Sequence, residues 1–268
     1  AAIAKKSDLA IVVVGENPLR YQKSKTCGEN IDRMGLDLLG TQNQLVQKIH
    51  ETGVPTIVVL VGGRPLSVNW IAQNVQALVQ AWEPGSLGGR ALANILAGKV
   101  NPSAKLPISI PRHSGQIQMI YNHKPSQYFH KYIDGPSTPL YPFGFGLSYT
   151  RFAYSSLKLS HTRISDKDSF TASIELTNVG DREGTEVVQL YIRDIYSSAT
   201  RPVKELKDFA RVTLKPGEKK TVTFTVTPDK LAYWNRNMQY GVEKGEFEIM
   251  IGSSSQDKDL KKVKMEVL

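Results

Sequence analysis

A chain of 268 residues is long for one domain and comfortable for two of roughly 100–150 residues each. Its apolar content of 40% supports real cores, and its charges are mixed rather than blocky, which excludes a disordered chain. The net charge of +9 comes without a basic–aromatic cluster or a reader motif, so nucleic acid is excluded as a partner; the single cysteine, Cys27, excludes an intrachain disulfide and a Cys-type zinc site, and no apolar run approaches the ~20 residues of a membrane span.

The first half alternates strand and helix. Leu9 to Val14 is an apolar run that predicts a strand buried on both faces, ending at Gly15 and Glu16. Leu45, Val46 and Ile49 stand at helical spacing within 44–50, and Gly53-Val54-Pro55 ends that helix. Thr56 to Val61 predicts a second buried strand, Trp70 to Val75 a short helix, and Ala77 to Trp82 a third strand. Ser86 is placed to cap a helix over "LGGRALANILAG", with Gly98 at the position after its end. "LPISIP", residues 106–111, predicts a fourth strand. Buried strands separated by helices imply a mainly parallel sheet covered on both faces, an α/β sandwich over residues 1–128.

Residues 129–150 read as an ordered connector rich in aromatic residues, Gly and Pro, in which Tyr141, Phe143, Phe145 and Tyr149 serve as packing rings. From 151 to 268 the period becomes two. Phe170, Ala172, Ile174 and Leu176 alternate with polar residues, as do Val188, Leu190 and Ile192, then Val222, Phe224 and Val226, then Phe247, Ile249 and Ile251. Turn signals such as "KPGEKK" and "VEKGE" separate them. Several short strands so spaced predict an all-β sandwich of immunoglobulin or fibronectin type III kind.

Ligands of an open parallel sheet bind beyond the carboxyl ends of its strands. Gly15-Glu16, "VGGRP" at 61–65, "WEPGS" at 82–86 and the long loop after the first strand all fall there. Dinucleotide, phosphate-loop and nucleophile-elbow motifs are missing, and no histidine pair has metal-ligand spacing on a predicted helix. Carboxylates remain: Glu16, Glu29, Asp32, Asp37 and Glu83 lie at or near this rim, and acid–base chemistry on carboxylates needs two in different environments. Trp82, at the end of a buried strand, reads as core, and Cys27 as a small loop residue.

"IVVVGEN…CGENIDR", "WEPGSLGGRALANILAGKVNPSAKLPISIP" and "YPFGFGLSYT" closely resemble the C-terminal part of glycoside hydrolase family 3, the β-glucosidases and β-xylosidases. "RPVKELKDFARVTLKPGE…YWN…GEFEIMIGSSS" resembles the fibronectin type III-like domain that ends many of them, so the likeness covers nearly the whole chain. The resemblance implies a retaining, exo-acting glycosidase acting on a β-linked oligosaccharide or glycoside, with no metal or organic cofactor. It implies a (β/α)8 barrel, absent from these residues, that carries the nucleophilic aspartate, and hence a chain inactive alone. It further implies a periplasmic or secreted protein. This chain would lend the general acid/base, for which Glu16 and Glu29 compete. Glu16, one step beyond a buried strand, is favoured by its anchorage, and Glu29 sits on a loop that reaches further. Asp32 and Arg33 match a recurring pair expected to shape the loop.

Two positions depart from the family pattern. Ala104 stands where glycine is usual, and Gly62 where "NGRP" has asparagine. A non-enzymatic carbohydrate-binding or adhesion module is the alternative function, with Tyr233, Trp234 and Tyr240 as candidate sugar-contacting rings. A nucleotide-binding α/β protein lacks its phosphate loop.

Overall fold

The computed structural model describes residues 1–17, 25–27, 33–116, 119–125 and 132–268. These form two compact units, one from 1–100, 110–117 and 138–140, the other from 101–109, 118–137 and 141–268.

In the first unit three parallel strands, β1 (Ala10–Gly15), β2 (Thr56–Val61) and β3 (Ala77–Trp82), lie side by side in chain order. Helix α1 (Gln42–His50) connects β1 to β2, α2 (Asn69–Asn74) connects β2 to β3, and α3 (Gly88–Leu96) follows β3. Val12, Val14, Val58 and Leu60 of the sheet pack with Val46 of α1 and Ile71 of α2 in one buried cluster. Val46 and Ile71 lose all contact with solvent, so each contributes about 1.5–3 kcal/mol of apolar burial. The strand bounds follow the apolar runs closely because β-branched residues favour extended backbone there.

Three local expectations change. β1 is an edge strand, covered on one face only: Val12 and Val14 are buried, whereas Ile11 is 51% and Val13 62% exposed. Residues 106–111 form no strand, and Ile110 is a single bridge residue; Pro107 and Pro111 lack the N–H groups that a ladder needs. Ser86 caps nothing. The residue before α3 is Leu87, without a side-chain cap. What shapes this helix start is Pro84, whose ring lies where a Cβ on Gly88 would be, 2.5 Å from its own Cβ. At the other end Gly98 adopts φ +69° as the spacing predicts, and the Lys99 N–H returns to the Asn94 carbonyl at 2.9 Å.

The second unit is a β-sandwich. One sheet runs β10 (Lys219–Val226), β7 (Phe170–Asn178), β4 (Phe152–Tyr154), with β5 (Lys158–Leu159) also on β7. The other runs β6 (Arg163–Ile164), β14 (Leu260–Val267), β13 (Gly245–Gly252), β8 (Gly184–Asp194), β9 (Glu205–Leu214). Helix α4 (Pro228–Leu231) leads into a small hairpin of β11 (Tyr233–Trp234) and β12 (Tyr240–Gly241). The inward residues of the period-two runs, Phe170, Ala172, Ile174, Leu176, Val188, Leu190, Phe247, Ile249 and Ile251 among them, form one core.

Part of the connector packs within this unit. Phe143 stacks on Tyr121 at 4.1 Å between ring centroids, and Tyr121 meets the fully buried Tyr191 edge-on at 5.8 Å. Gly144 takes φ +78° where a Cβ would stand 2.1 Å from the Gln189 side-chain oxygen, so only glycine fits. Ala104 needs no left-handed backbone: it is not among the residues with positive φ, so the exchange of glycine for alanine there carries no such strain.

Candidate functional site

The lip of the parallel sheet is built by close backbone approach. Gly15 has φ +143°, and a Cβ on it would sit 1.8 Å from the carbonyl oxygen of Val61, so the glycine of "GEN" is dictated by packing. The Glu16 N–H then donates to that same carbonyl at 2.8 Å. On the side of β1 that no strand covers, the Gln42 amide completes the ladder. It accepts from the Gly15 N–H at 2.6 Å and donates to the Gly15 carbonyl at 2.9 Å. Glu16 therefore leaves a strand end fixed on both edges.

Its surroundings oppose the role drawn from it. The Glu16 side chain is completely covered. Arg64 donates Nη2 to Oε1 at 2.6 Å and Nε to Oε1 and Oε2 at 3.2 and 3.1 Å; Arg33 donates Nη1 to Oε1 at 2.9 Å. Charge-assisted bonds of this kind offset the desolvation of a buried carboxylate, and removal of one partner of such a group costs about 3–5 kcal/mol. The sequence-based preference for Glu16 as acid/base thus meets a physical objection. A general acid must present a proton to a substrate oxygen, and both oxygens of this fully covered carboxylate accept from guanidinium groups.

The same two arginines tie the far end of the long loop. Arg64 Nη1 donates to the Arg33 carbonyl at 2.9 Å and Nη2 to the Gly35 carbonyl at 3.2 Å, while Arg33 Nη2 reaches the Asp37 carbonyl at 2.5 Å. Near its start the loop is tied again, with Asn17 and Thr26 exchanging two hydrogen bonds. Cys27 lies buried beside this cluster, and burial followed by the Glu16 charge pushes its thiol up, the setting of an inert thiol rather than a nucleophile. Glu29 and Asp32 lie outside the described residues; of the predicted loop pair, Arg33 is seen on Glu16.

The other rim groups divide. Glu83 and Asp37 are exposed. Gly62, at φ +148°, stands with its would-be Cβ 3.2 Å from the Glu16 Cβ, so a side chain at this position presses on the buried carboxylate. Trp82 is half-buried, and at φ +53° it is one of two non-glycine residues with left-handed backbone among those described. For an aromatic residue that conformation costs of order 1–3 kcal/mol, and such strain gathers at binding and catalytic sites. Arg64 and Gln42 are the site residues that sequence reasoning passed over. "GGRP" marked the place of Arg64, but its partner lies 48 residues away along the chain. No group of three or more metal-ligating side chains occurs among the described residues, and no helix among them is long and apolar enough to cross a membrane.

The fold and the lip define a class of architecture, a parallel α/β unit with a carboxylate and two arginines at its strand ends and an all-β sandwich beside it in the chain. The particular family follows from direct comparison. Residues 1–149 match the glycosyl hydrolase family 3 C-terminal domain and residues 186–255 the fibronectin type III-like domain, and the chain belongs to glycoside hydrolase family 3. It is 47% identical over 267 residues to a β-xylosidase of Formosa agariphila, covering 98% of this chain and 36% of that protein. It is 41% identical over 262 residues to a periplasmic β-glucosidase of Salmonella typhimurium, covering 94% and 34%. Among solved structures it superposes on a β-glucosidase of Erythrobacter marinus with a TM-score of 0.92 and 40% identity, covering 100% of this chain and 35% of the other. The chain thus spans about a third of the length of the relatives it matches.

Proposed function

We propose that this chain supplies the general acid/base of a retaining β-glycosidase acting on β-linked glucosides or xylosides, and that Glu29, not Glu16, is the proton-transferring group. The observation that carries the choice is the complete enclosure of the Glu16 carboxylate by Arg33 and Arg64. Glu16 and Arg64 become positioning residues, which with Arg33 hold residues 33–37, the far end of the loop on which Glu29 lies. The nucleophile belongs to a barrel domain of the whole protein, in keeping with the family resemblance, and the chain by itself is expected to be inactive toward aryl β-glycosides. In the reaction the barrel carboxylate attacks the anomeric carbon while the acid protonates the departing oxygen. The same group then takes a proton from the water that releases the sugar. The similarity to a periplasmic β-glucosidase supports a periplasmic or secreted setting.

The test is azide rescue in the whole enzyme. Glu29→Ala should lose poor leaving groups most and regain turnover of activated aryl glycosides when azide is added, because azide attacks without a base. Glu16→Ala should lose activity on all substrates alike, without rescue. Rescue of the Glu16 variant alone would reverse the assignment.

A further inference from the structure

The β11–β12 hairpin of the sandwich carries two neighbouring aromatic rings in solvent. Trp234 is 60% and Tyr240 54% exposed, directly opposite each other across the hairpin, with centroids 5.4 Å apart and planes at 50°. Their neighbour Tyr233 turns the other way. It is buried, the Arg201 guanidinium lies 4.4 Å over its ring, and its hydroxyl meets Ser198 at 3.1 Å. One ring therefore anchors the hairpin, and two are left more than half outside, each forgoing much of the stabilisation that full burial of a large apolar side chain provides.

The turn that presents these rings is held by its own hydrogen bonds. The Asn235 side-chain oxygen accepts from the N–H groups of residues 237 and 239 at 2.9 and 3.1 Å, and the Asn235 N–H donates to the Gln239 carbonyl at 3.0 Å. Met238 completes it at φ +58°, a left-handed conformation that is unfavourable for an L-residue with a side chain. Between the rings stand Arg236, Asn237 and Gln239, all exposed, whose side chains have no hydrogen-bond partner among the described residues. The segment 234–241 contains no carboxylate and a single cation.

Exposed ring faces, free amides and one guanidinium on a rigid turn suit one chemistry. The ring faces take the apolar C–H faces of a pyranose, and the amides and guanidinium bond its hydroxyls, as stacking and polar groups divide the work on other flexible polymers. A polyanion would require more than one cation. We propose that the Trp234–Tyr240 hairpin binds a soluble, neutral β-linked oligosaccharide. Because the two planes meet at 50°, the surface is not one flat platform. It accepts a chain that twists from one residue to the next, and not the flat face of crystalline cellulose. This reading concerns the sandwich alone and does not depend on which glutamate transfers the proton.

The experiment is calorimetric titration of this chain with cellohexaose and with xylohexaose, beside pull-down on crystalline cellulose and on anionic phospholipid vesicles. Binding of at least one hexasaccharide at about millimolar Kd is expected, with Kd raised tenfold or more in Trp234→Ala, a loss of about 1.4 kcal/mol. Tyr240→Ala should weaken binding similarly, and Tyr196→Ala, an exposed tyrosine outside the hairpin, should leave it unchanged. Thermal unfolding of each variant verifies its fold, and agreement between the two hairpin variants guards against failure of either one. No heat with either hexasaccharide, wild-type affinity in both hairpin variants, preference for crystalline cellulose, or capture by vesicles in place of sugar would each overturn the proposal.

Discussion

Glu16 in the first unit and Asp194 in the second each stand at the end of a strand, and they meet opposite conditions. Glu16, just past β1, has two arginines to itself, and both of its oxygens are engaged. Asp194, the last residue of β8, shares the single guanidinium of Arg201 with Glu205 and Glu243 nearby. Arg201 gives Nη2 to Glu205 at 2.5 Å and lays its plane over Tyr233. The Asp194 Oδ2 and the Arg201 Nε are both buried without a hydrogen-bond partner. Burial accordingly pushes the Asp194 carboxyl up to about 6, with Glu243 and Glu205 adding to it, against the pull of Arg201 and a Ser197 hydroxyl. A carboxylate at a strand end is thus not a functional group by position. The number of cations that the tertiary structure brings to it decides whether its oxygens are all engaged, as at Glu16, or one is left without a partner, as at Asp194.

The comparison can be broken most directly at the lip. Glu16→Gln should destabilise the first unit by about 3–5 kcal/mol, because two nearly buried guanidinium groups lose their counter-charge; urea unfolding of the chain measures it. Wild-type stability in that variant would mean that the Arg33 and Arg64 contacts hold nothing together. Arg64→Met should cost nearly as much, and it should also expose the 33–37 backbone to faster hydrogen exchange, since Arg64 joins Glu16 to the carbonyls of Arg33 and Gly35.

The sandwich should respond with the other sign. The folded-state carboxyl of Asp194 titrates at about 6, above its ordinary value of 3.8, so the native state holds this proton more tightly than the unfolded chain. The stabilisation is complete below about pH 4 and is lost as pH rises through 6. Asp194→Asn removes that loss, and should be more stable than wild type at pH 7.5 by about 2 kcal/mol, the ~3 kcal/mol equivalent of the shift discounted for solvent screening of a half-buried carboxyl, while matching it below about pH 4. Parallel unfolding curves at the two pH values sharpen the contrast, and a variant less stable than wild type at pH 7.5 would refute it. The smallest effect is expected at Gly62. Gly62→Asn, which restores the side chain usual in the family pattern, should cost about 1 kcal/mol in this chain, because its φ of +148° and the Glu16 Cβ at 3.2 Å leave little room.

The sequence by itself determined the two periods, and with them the fold. β2 and β3 occupy the runs read for them, 56–61 and 77–82, and Gly98 ends α3 as its spacing required. Such features depend on a residue and its near neighbours: backbone preference, side-chain alternation, the freedom of glycine. The apolar run 106–111 misled because its prolines outweigh its hydrophobicity, and β1 because an apolar strand at an edge looks the same in sequence as one in the middle. Only the tertiary structure decided the fate of the carboxylates. Glu16 and Arg64 are 48 residues apart, and nothing local in "GEN" or "GGRP" couples them. The energy of a buried charge depends on every cation and dipole within a few ångströms, and that neighbourhood comes into being when the β1 and β2 ends meet at the lip.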